Sequence, residues 1–390
     1  MSLAEPRNKS NKKFMVLSAL GIFMVVDHHT FTTFHLFGDY IPYNSFFMPM
    51  FVFISGYFNK VDSSTKLGPY IWKKIKTLLV PYTFIALLVF GLQWLINWYK
   101  LGEKPTYPEG YLSYVFGRIR TSGSPFNIAT PMWFVISLFS VLVLYAVIKK
   151  FLYRFWNSYV MLLIFIALHI LAVYLAKTTE FEKIEDYLIP LKCLFFFPFL
   201  EMGIIYRDHL EKKHEGLSVG CKIGILFLLL GVNMVRTMYL PFAYDVAFDS
   251  LDELAGFTSP YYVTPLVSSI VGILFWLTLV DLIGKAFYNS RFVNYMSCNT
   301  FWIMGLHITF FNILNCILMF VNDHITALKY FSVADFQDSE WYWWELSPNF
   351  KLAYLVIGIL GPLGLKWIFD KIRSSAGKAV AGKKNTVAEE

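Results

Sequence analysis

Long apolar stretches separated by short polar segments run along nearly the whole chain. Ten of them have about the 17–25 residues that a helix needs to cross a bilayer. Their expected limits are residues 14–34, 42–58, 78–99, 131–148, 158–176, 188–206, 220–240, 261–283, 295–320 and 352–370. The second is short and contains Pro49 and Gly56, so its limits are the hardest to draw. The pattern predicts an all-α polytopic membrane protein with about ten transmembrane helices. A single membrane domain would cover 1–370, and 371–390 would be a polar, disordered tail. No internal repeat or low-complexity tract interrupts it.

Composition agrees. The chain is 56% hydrophobic and 19% aromatic. Only 16% of residues are charged, against roughly 25% in soluble domains. With the N-terminus in the cytoplasm, 24 Lys and Arg fall on the cytoplasmic side and 8 on the other. That bias obeys the positive-inside rule and predicts that both termini are cytoplasmic, in a multi-pass protein of the cell membrane. The net charge of +7 reflects the same bias and gives no reason to expect a nucleic-acid partner. The first apolar stretch has no small-residue cleavage site after it, so it reads as a retained span, not a signal peptide. Four cysteines (Cys193, Cys221, Cys298, Cys316) lack metal-ligand spacing. They are expected to be buried small hydrophobes, with no disulfide framework and no metal site.

The first span ends in Asp27-His28-His29. Ionisable groups at such a depth are costly and therefore candidates for function, and a neutral imidazole is suited to taking a proton near pH 7. The plainer reading is two histidines resting in the headgroup region. Asp27 lies about 100° or more around the helix from either histidine, so it is not simply a dyad partner. Glu201 and Arg236, in consecutive spans, are expected to form a structural ion pair or the polar wall of a substrate cavity. Three loops on the outer side are long: 100–130, 241–260 and 321–350. The last contains Trp341-Tyr342-Trp343-Trp344 beside several acids, which suits either an aromatic belt or stacking on sugar rings.

In order along the chain, these segments resemble the acyltransferase 3 family of integral-membrane acyltransferases, over nearly its whole length. The first span resembles the family's opening apolar run ending in a histidine. FFMPMFVFISGYF (46–58) is similar to its FFxxLFFxISGY-type segment, and KKIKTLLVPY (73–82) to its basic run before Leu-Pro-Tyr. PMWFVISLF (131–139), FFFPFLEMGIIYR (195–207) and SCNTFWIMGLHITF (297–310) resemble later spans. No soluble esterase-like domain is attached.

The resemblance implies transfer of an acyl group, usually acetyl from acetyl-CoA, to a hydroxyl of a cell-surface or lipid-linked carbohydrate. It makes His29 the base, with His28 and Asp27 beside it, and brings in His307, which could equally be a hydrogen-bonded core residue. Lys73, Lys74 and Lys76 would hold coenzyme A's phosphates, although membrane anchoring explains them as well. Trp133 and Asn299 enter through their motifs only and join Glu201 and Arg236 as candidate substrate contacts. The chain departs from the family at Ser18, where an arginine is usual, eleven residues before the histidine. Lys12 and Lys13 are nearby but would sit at the membrane edge. The rival reading is a lipid-linked glycan flippase, polymerase or transporter. The partners expected are a glycan acceptor and the bilayer; a homo-oligomer is compatible with the sequence, which does not specify one.

Overall fold

The computed structural model describes residues 9–30, 40–41, 43–103, 110–178, 187–239, 262–329, 331–339 and 350–387. All regular structure in them is helical. Each expected span contains a helix: α1 (Lys9–His28), α2 (Phe47–Tyr57), α3 (Leu67–Leu101), α5 (Trp133–Leu152), α6 (Ser158–Thr178), α7 (Leu188–Glu215), α8 (Val219–Tyr239), α9 (Thr264–Ile283), α11 (Thr300–His324) and α13 (Lys351–Val387). Three short helices join them: α4 (Tyr111–Thr121), α10 (Arg291–Cys298) and α12 (Val333–Asp338). Among the described residues, eight helices are long and apolar enough to cross a membrane, and neither α1 nor α2 is one of the eight.

Helix α1 is buried along nearly all its faces and touches α2, α9, α10, α11 and α13. A helix that is apolar all round belongs in the core of such a bundle. Helix α2 has 11 residues, ~16 Å of helix, which is about half the hydrocarbon thickness. Pro49 sits in its first turn, where its missing N–H costs no hydrogen bond. The far end is finished by Arg207, whose Nη1 donates to the Tyr57 carbonyl at 3.0 Å and the Asn59 carbonyl at 2.5 Å. The Tyr57 carbonyl is one that a helix end leaves without an intrahelical partner, and Asn59 is in the segment that follows. The Tyr57 hydroxyl also donates to Glu211 at 2.9 Å.

Helices α2 and α7 meet backbone to backbone at Gly56 and Gly203. A methyl group built on Gly56 would overlap the Leu200 carbonyl, and one built on Gly203 would overlap that of Phe53. Small residues at a membrane-helix crossing permit this approach. The most specific sequence match, FFMPMFVFISGYF, is thus a packing element in the structure.

Several expectations need correction. Loop 100–130 contains helix α4, and loop 321–350 contains α12. Phe336 of α12 is fully buried, and Lys100 bonds to Ser339 behind it. The late span expected from 295 is broken at Asn299, whose side-chain amide donates to the Tyr295 carbonyl at 2.8 Å; α11 begins after it. Helix α13 continues to Val387, into the segment expected to be a disordered tail. Of the four free cysteines, Cys193 is buried while Cys221 and Cys298 are exposed. Loop 241–260 and the Trp341–Trp344 run lie outside the described residues.

The contacts also sort the bundle ends. Lys12 reaches Asn289, Lys13 reaches Glu215, and Lys150 reaches the carbonyls of Ser63 and Thr65. Segments expected on one side of the membrane therefore meet at one end.

Gly56→Ala should remove most of the folded protein recovered in mild detergent, by size-exclusion profile and thermal melting. Gly91→Ala, where a methyl group meets nothing within 4 Å, should change neither. Equal behaviour of the two variants would contradict the close α2–α7 crossing.

Candidate active site

Two histidines from distant parts of the sequence meet inside the bundle. His29 continues the helical hydrogen bonding of α1 by one residue, its backbone N–H reaching the Val25 carbonyl at 3.3 Å. Its ring Nδ1 lies 2.7 Å from the same oxygen. A carbonyl can only accept, so Nδ1 carries the proton and Nε2 has the lone pair. His307 repeats this on α11, with Nδ1 2.9 Å from the Ile303 carbonyl. The two ring centroids are 4.9 Å apart, inclined at 63°. His307 is fully buried, and its Nε2 has no hydrogen-bond partner among the described residues. A polar atom left so in a core calls for an explanation, and a substrate hydroxyl would supply one.

His28 stands beside the pair, its ring 5.5 Å from that of His29. Asp27 turns elsewhere, as the helical angle requires. It is fully buried and forms an ion pair with Lys351 of α13 at 2.9 Å. Lys351 also donates to the Thr30 hydroxyl at 3.2 Å, and that hydroxyl donates to the Asp27 carbonyl at 2.6 Å. This network closes α1 and aims its last turn. Near it, Tyr354 donates to Asn315, both buried, and Phe311 packs edge-on against both His307 and Tyr354.

A cavity of about 220 Å³ lies along the same faces. Ser18 and Ile22 of α1, Thr300 and Met304 of α11, Phe51 of α2 and Leu78 of α3 contribute to its walls. Eleven residues advance a helix by three turns plus ~20°, so Ser18 and His29 share one face, ~16 Å apart. Thr300 and His307, seven residues apart, share a face of α11 in the same way. The histidine pair thus lies on the same faces of α1 and α11 as the cavity, although neither histidine lines it. Leu78, on the cavity wall, belongs to a widened turn of α3, Ile75–Leu79. Such π turns relieve helix strain, and here Pro81 cannot donate to the carbonyl four residues back.

The basic run stands beside this turn. Lys74 and Lys76 lie 5.2 Å over the rings of Tyr70 and Trp72, and Lys73 is exposed. Three exposed or half-buried cations near a cavity mouth can accept a phosphorylated ligand.

The remaining sequence candidates are scattered. Glu201 does not pair with Arg236: it accepts from the Tyr145 hydroxyl at 2.6 Å, and its other oxygen has no hydrogen-bond partner among the described residues. Arg236 bonds within its own helix, to Asn233 at 2.6 Å and Thr237 at 3.1 Å. Trp133 stacks on Phe196, with the buried Lys192 ammonium 4.3 Å above its ring. Asn299 marks the α10–α11 break. None of the hydrogen bonds or ring contacts of Glu201, Trp133 or Asn299 involves either histidine. Among the described residues, no three His, Cys, Asp or Glu side chains cluster closely enough for a metal ion.

Sequence reasoning missed Lys351, Asn315 and Tyr354. Lys351 is one of the eight cations expected on the outer side, and its place at the start of the last expected span is visible in the sequence. Asn312 and Asn315 gave a usable signal as amides deep in an apolar helix.

A family model described as an acyltransferase domain matches residues 16–367. No curated protein and no solved structure matches.

Removing one member of a buried ion pair strands the other. Asp27→Asn or Lys351→Met alone should each cost about 3–5 kcal/mol of stability, and the double variant less than the sum. Thermal unfolding of the four proteins in one detergent checks this; additive losses would mean the pair is not coupled.

Proposed function

The chain belongs to the acyltransferase family whose model it matches, and from that premise we propose that it is an O-acyltransferase of a multi-pass membrane, moving an acyl group from acyl-CoA to a carbohydrate hydroxyl. The observation that carries this reading is the pairing of His29 and His307, on the helix faces that also line the cavity.

A sugar hydroxyl is a weak nucleophile, and a positioned imidazole can take its proton as the oxygen attacks. In the proposed reaction His29 Nε2 receives that proton while the hydroxyl oxygen attacks the thioester carbonyl carbon. The carbon–sulfur bond then breaks, and the departing sulfur takes up a proton, leaving an ester and free coenzyme A. His307, with a second Nε2 lone pair, accepts a hydrogen bond from the acceptor and helps to hold it in line. His28 has a lesser role beside them. Asp27 acts through position, as the group that fixes the last turn of α1. The two imidazoles are first on hand for the acceptor; the cavity along Ser18 and Met304 suits the narrow arm of the donor. Ser18 leaves room there, where a longer cation would fill it.

Coenzyme A's nucleotide would rest on Lys73, Lys74 and Lys76. By the positive-inside bias that end would be in the cytoplasm, together with both termini, so a cytoplasmic donor would meet an acceptor coming from the outer side or from within the membrane. Acetyl is the acyl group we favour, and a cell-surface or lipid-linked glycan the acceptor. Trp133, Glu201, Arg236 and Asn299 are retained as residues to test for acceptor binding.

Initial rates with acetyl-CoA in proteoliposomes test the reading. His29→Ala should lower turnover by about 10²–10⁴-fold with insertion intact, and His28→Ala should be milder. His307→Ala should raise KM for the acceptor. Replacing Lys74 and Lys76 together by Gln should raise KM for acetyl-CoA, more so as salt increases, and leave the acceptor's alone. Wild-type turnover in the His29 and His307 variants would end the proposed mechanism.

A further inference from the structure

A second cavity, of about 500 Å³, opens at the end of α1 opposite His29. Its floor is an ion pair between Lys222 of α8 and Asp281 of α9, 2.5 Å apart and both buried. Lys12, Glu215 and Lys285 stand on its walls, with Tyr288 and Asn289 in the turn that follows α9. The acyl-transfer reading makes no use of it.

Its charge is unbalanced. Both carboxylates are engaged: Asp281 by Lys222, and Glu215 by the fully buried Lys13 at 3.0 Å. Lys13 also lies 3.6 Å from Glu211 and donates to the Tyr206 hydroxyl at 3.0 Å. Two cations are left over. Among the described residues, Lys12 donates only to the neutral Asn289 side chain, at 2.9 Å. The exposed Lys285 side chain has no hydrogen-bond or ion-pair partner among the described residues. Burial, with Asp281 and Glu215 near, holds the Tyr288 phenol above its ordinary value, so it stays a hydrogen-bond donor. Two ammonium groups without a carboxylate partner among the described residues, a phenol and an amide around a cavity of ligand size form a site for a phosphate oxyanion.

We propose that this cavity binds a phosphate-bearing ligand, either the headgroup of an anionic lipid or a soluble phosphate compound, through Lys12 and Lys285. Because Lys12 and His29 stand at opposite ends of one buried helix, the site is separate from the histidine pair. It is also separate from Lys73, Lys74 and Lys76, none of which lines it. The proposal does not depend on the acyl-transfer reading.

The test uses the full chain in nanodiscs. In neutral phosphatidylcholine discs, binding of labelled inorganic pyrophosphate is measured at low salt. In discs with added phosphatidylglycerol, the lipids retained after gentle removal from the disc are counted by native mass spectrometry. Saturable pyrophosphate binding identifies the soluble source, and retained phosphatidylglycerol the lipid source; either supports the site. In both arms, replacing Lys12 and Lys285 by Gln should weaken binding about tenfold or more, since the contacts are charge-assisted. Lys285→Arg should keep it, and Gln at Lys74 and Lys76 should leave the part of the binding that depends on Lys12 and Lys285 unchanged. Absence of both ligands, or binding lost with Lys74 and Lys76 but not with Lys12 and Lys285, would overturn the proposal. Lys285 is exposed, so its replacement leaves the fold intact and the comparison clean.

Discussion

A helix buried on every side cannot hold an unpaired charge without a penalty of several kcal/mol, and α1 has a buried charge near each end. At one end Lys13 is enclosed by Glu211, Glu215 and Tyr206 of α7. At the other, Asp27 meets Lys351 of α13. These pairs do more than offset desolvation. Each fixes α1 in height and rotation against a different neighbour, and between them they leave the face from Ser18 to His29 turned towards α11. The meeting of His29 with His307 follows from that rotation.

The same economy of close approach shapes α2. Its 11 residues do not reach across a bilayer, so it needs partners at its ends and a neighbour along its length. Arg207 caps its last carbonyl, Tyr57 ties it to Glu211, and Gly56 with Gly203 lets α7 lie directly on its backbone. Glu211 thus joins α2 to the Lys13 cluster, and the packing of one helix secures the position of another.

Much of this was legible in the sequence, for reasons that differ by feature. Hydrophobic length located the eight helices long enough to cross a membrane, because bilayer thickness sets that length whatever the tertiary packing; the expected spans over α1 and α2 fell on helices too, but on none of those eight. The helical angle between Asp27 and His29 already separated their directions. Partners were not legible. Nothing in the spacing of Asp27 and Lys351, more than three hundred residues apart, announces a contact. Glu201 and Arg236 looked matched because they were opposite charges in consecutive spans, yet Glu201 found the Tyr145 hydroxyl instead. Lys13 looked like a membrane-edge anchor and is 1% exposed. Exposure of Cys221 and Cys298 was also missed, since apolar flanks mark lipid-facing surface and core alike. His307 could be found only because the resemblance singled out its motif; its place beside His29 needed the fold.

The claim with most resting on it is that an acyl group leaves coenzyme A and arrives as an ester on carbohydrate. It is tested most directly with membranes from cells that contain or lack this protein, incubated with acetyl-CoA labelled in the acetyl group. The account predicts label in the carbohydrate fraction, released as acetate by mild alkali, only where the protein is present. Equal labelling with and without the protein, or label that stays out of carbohydrate, would contradict it.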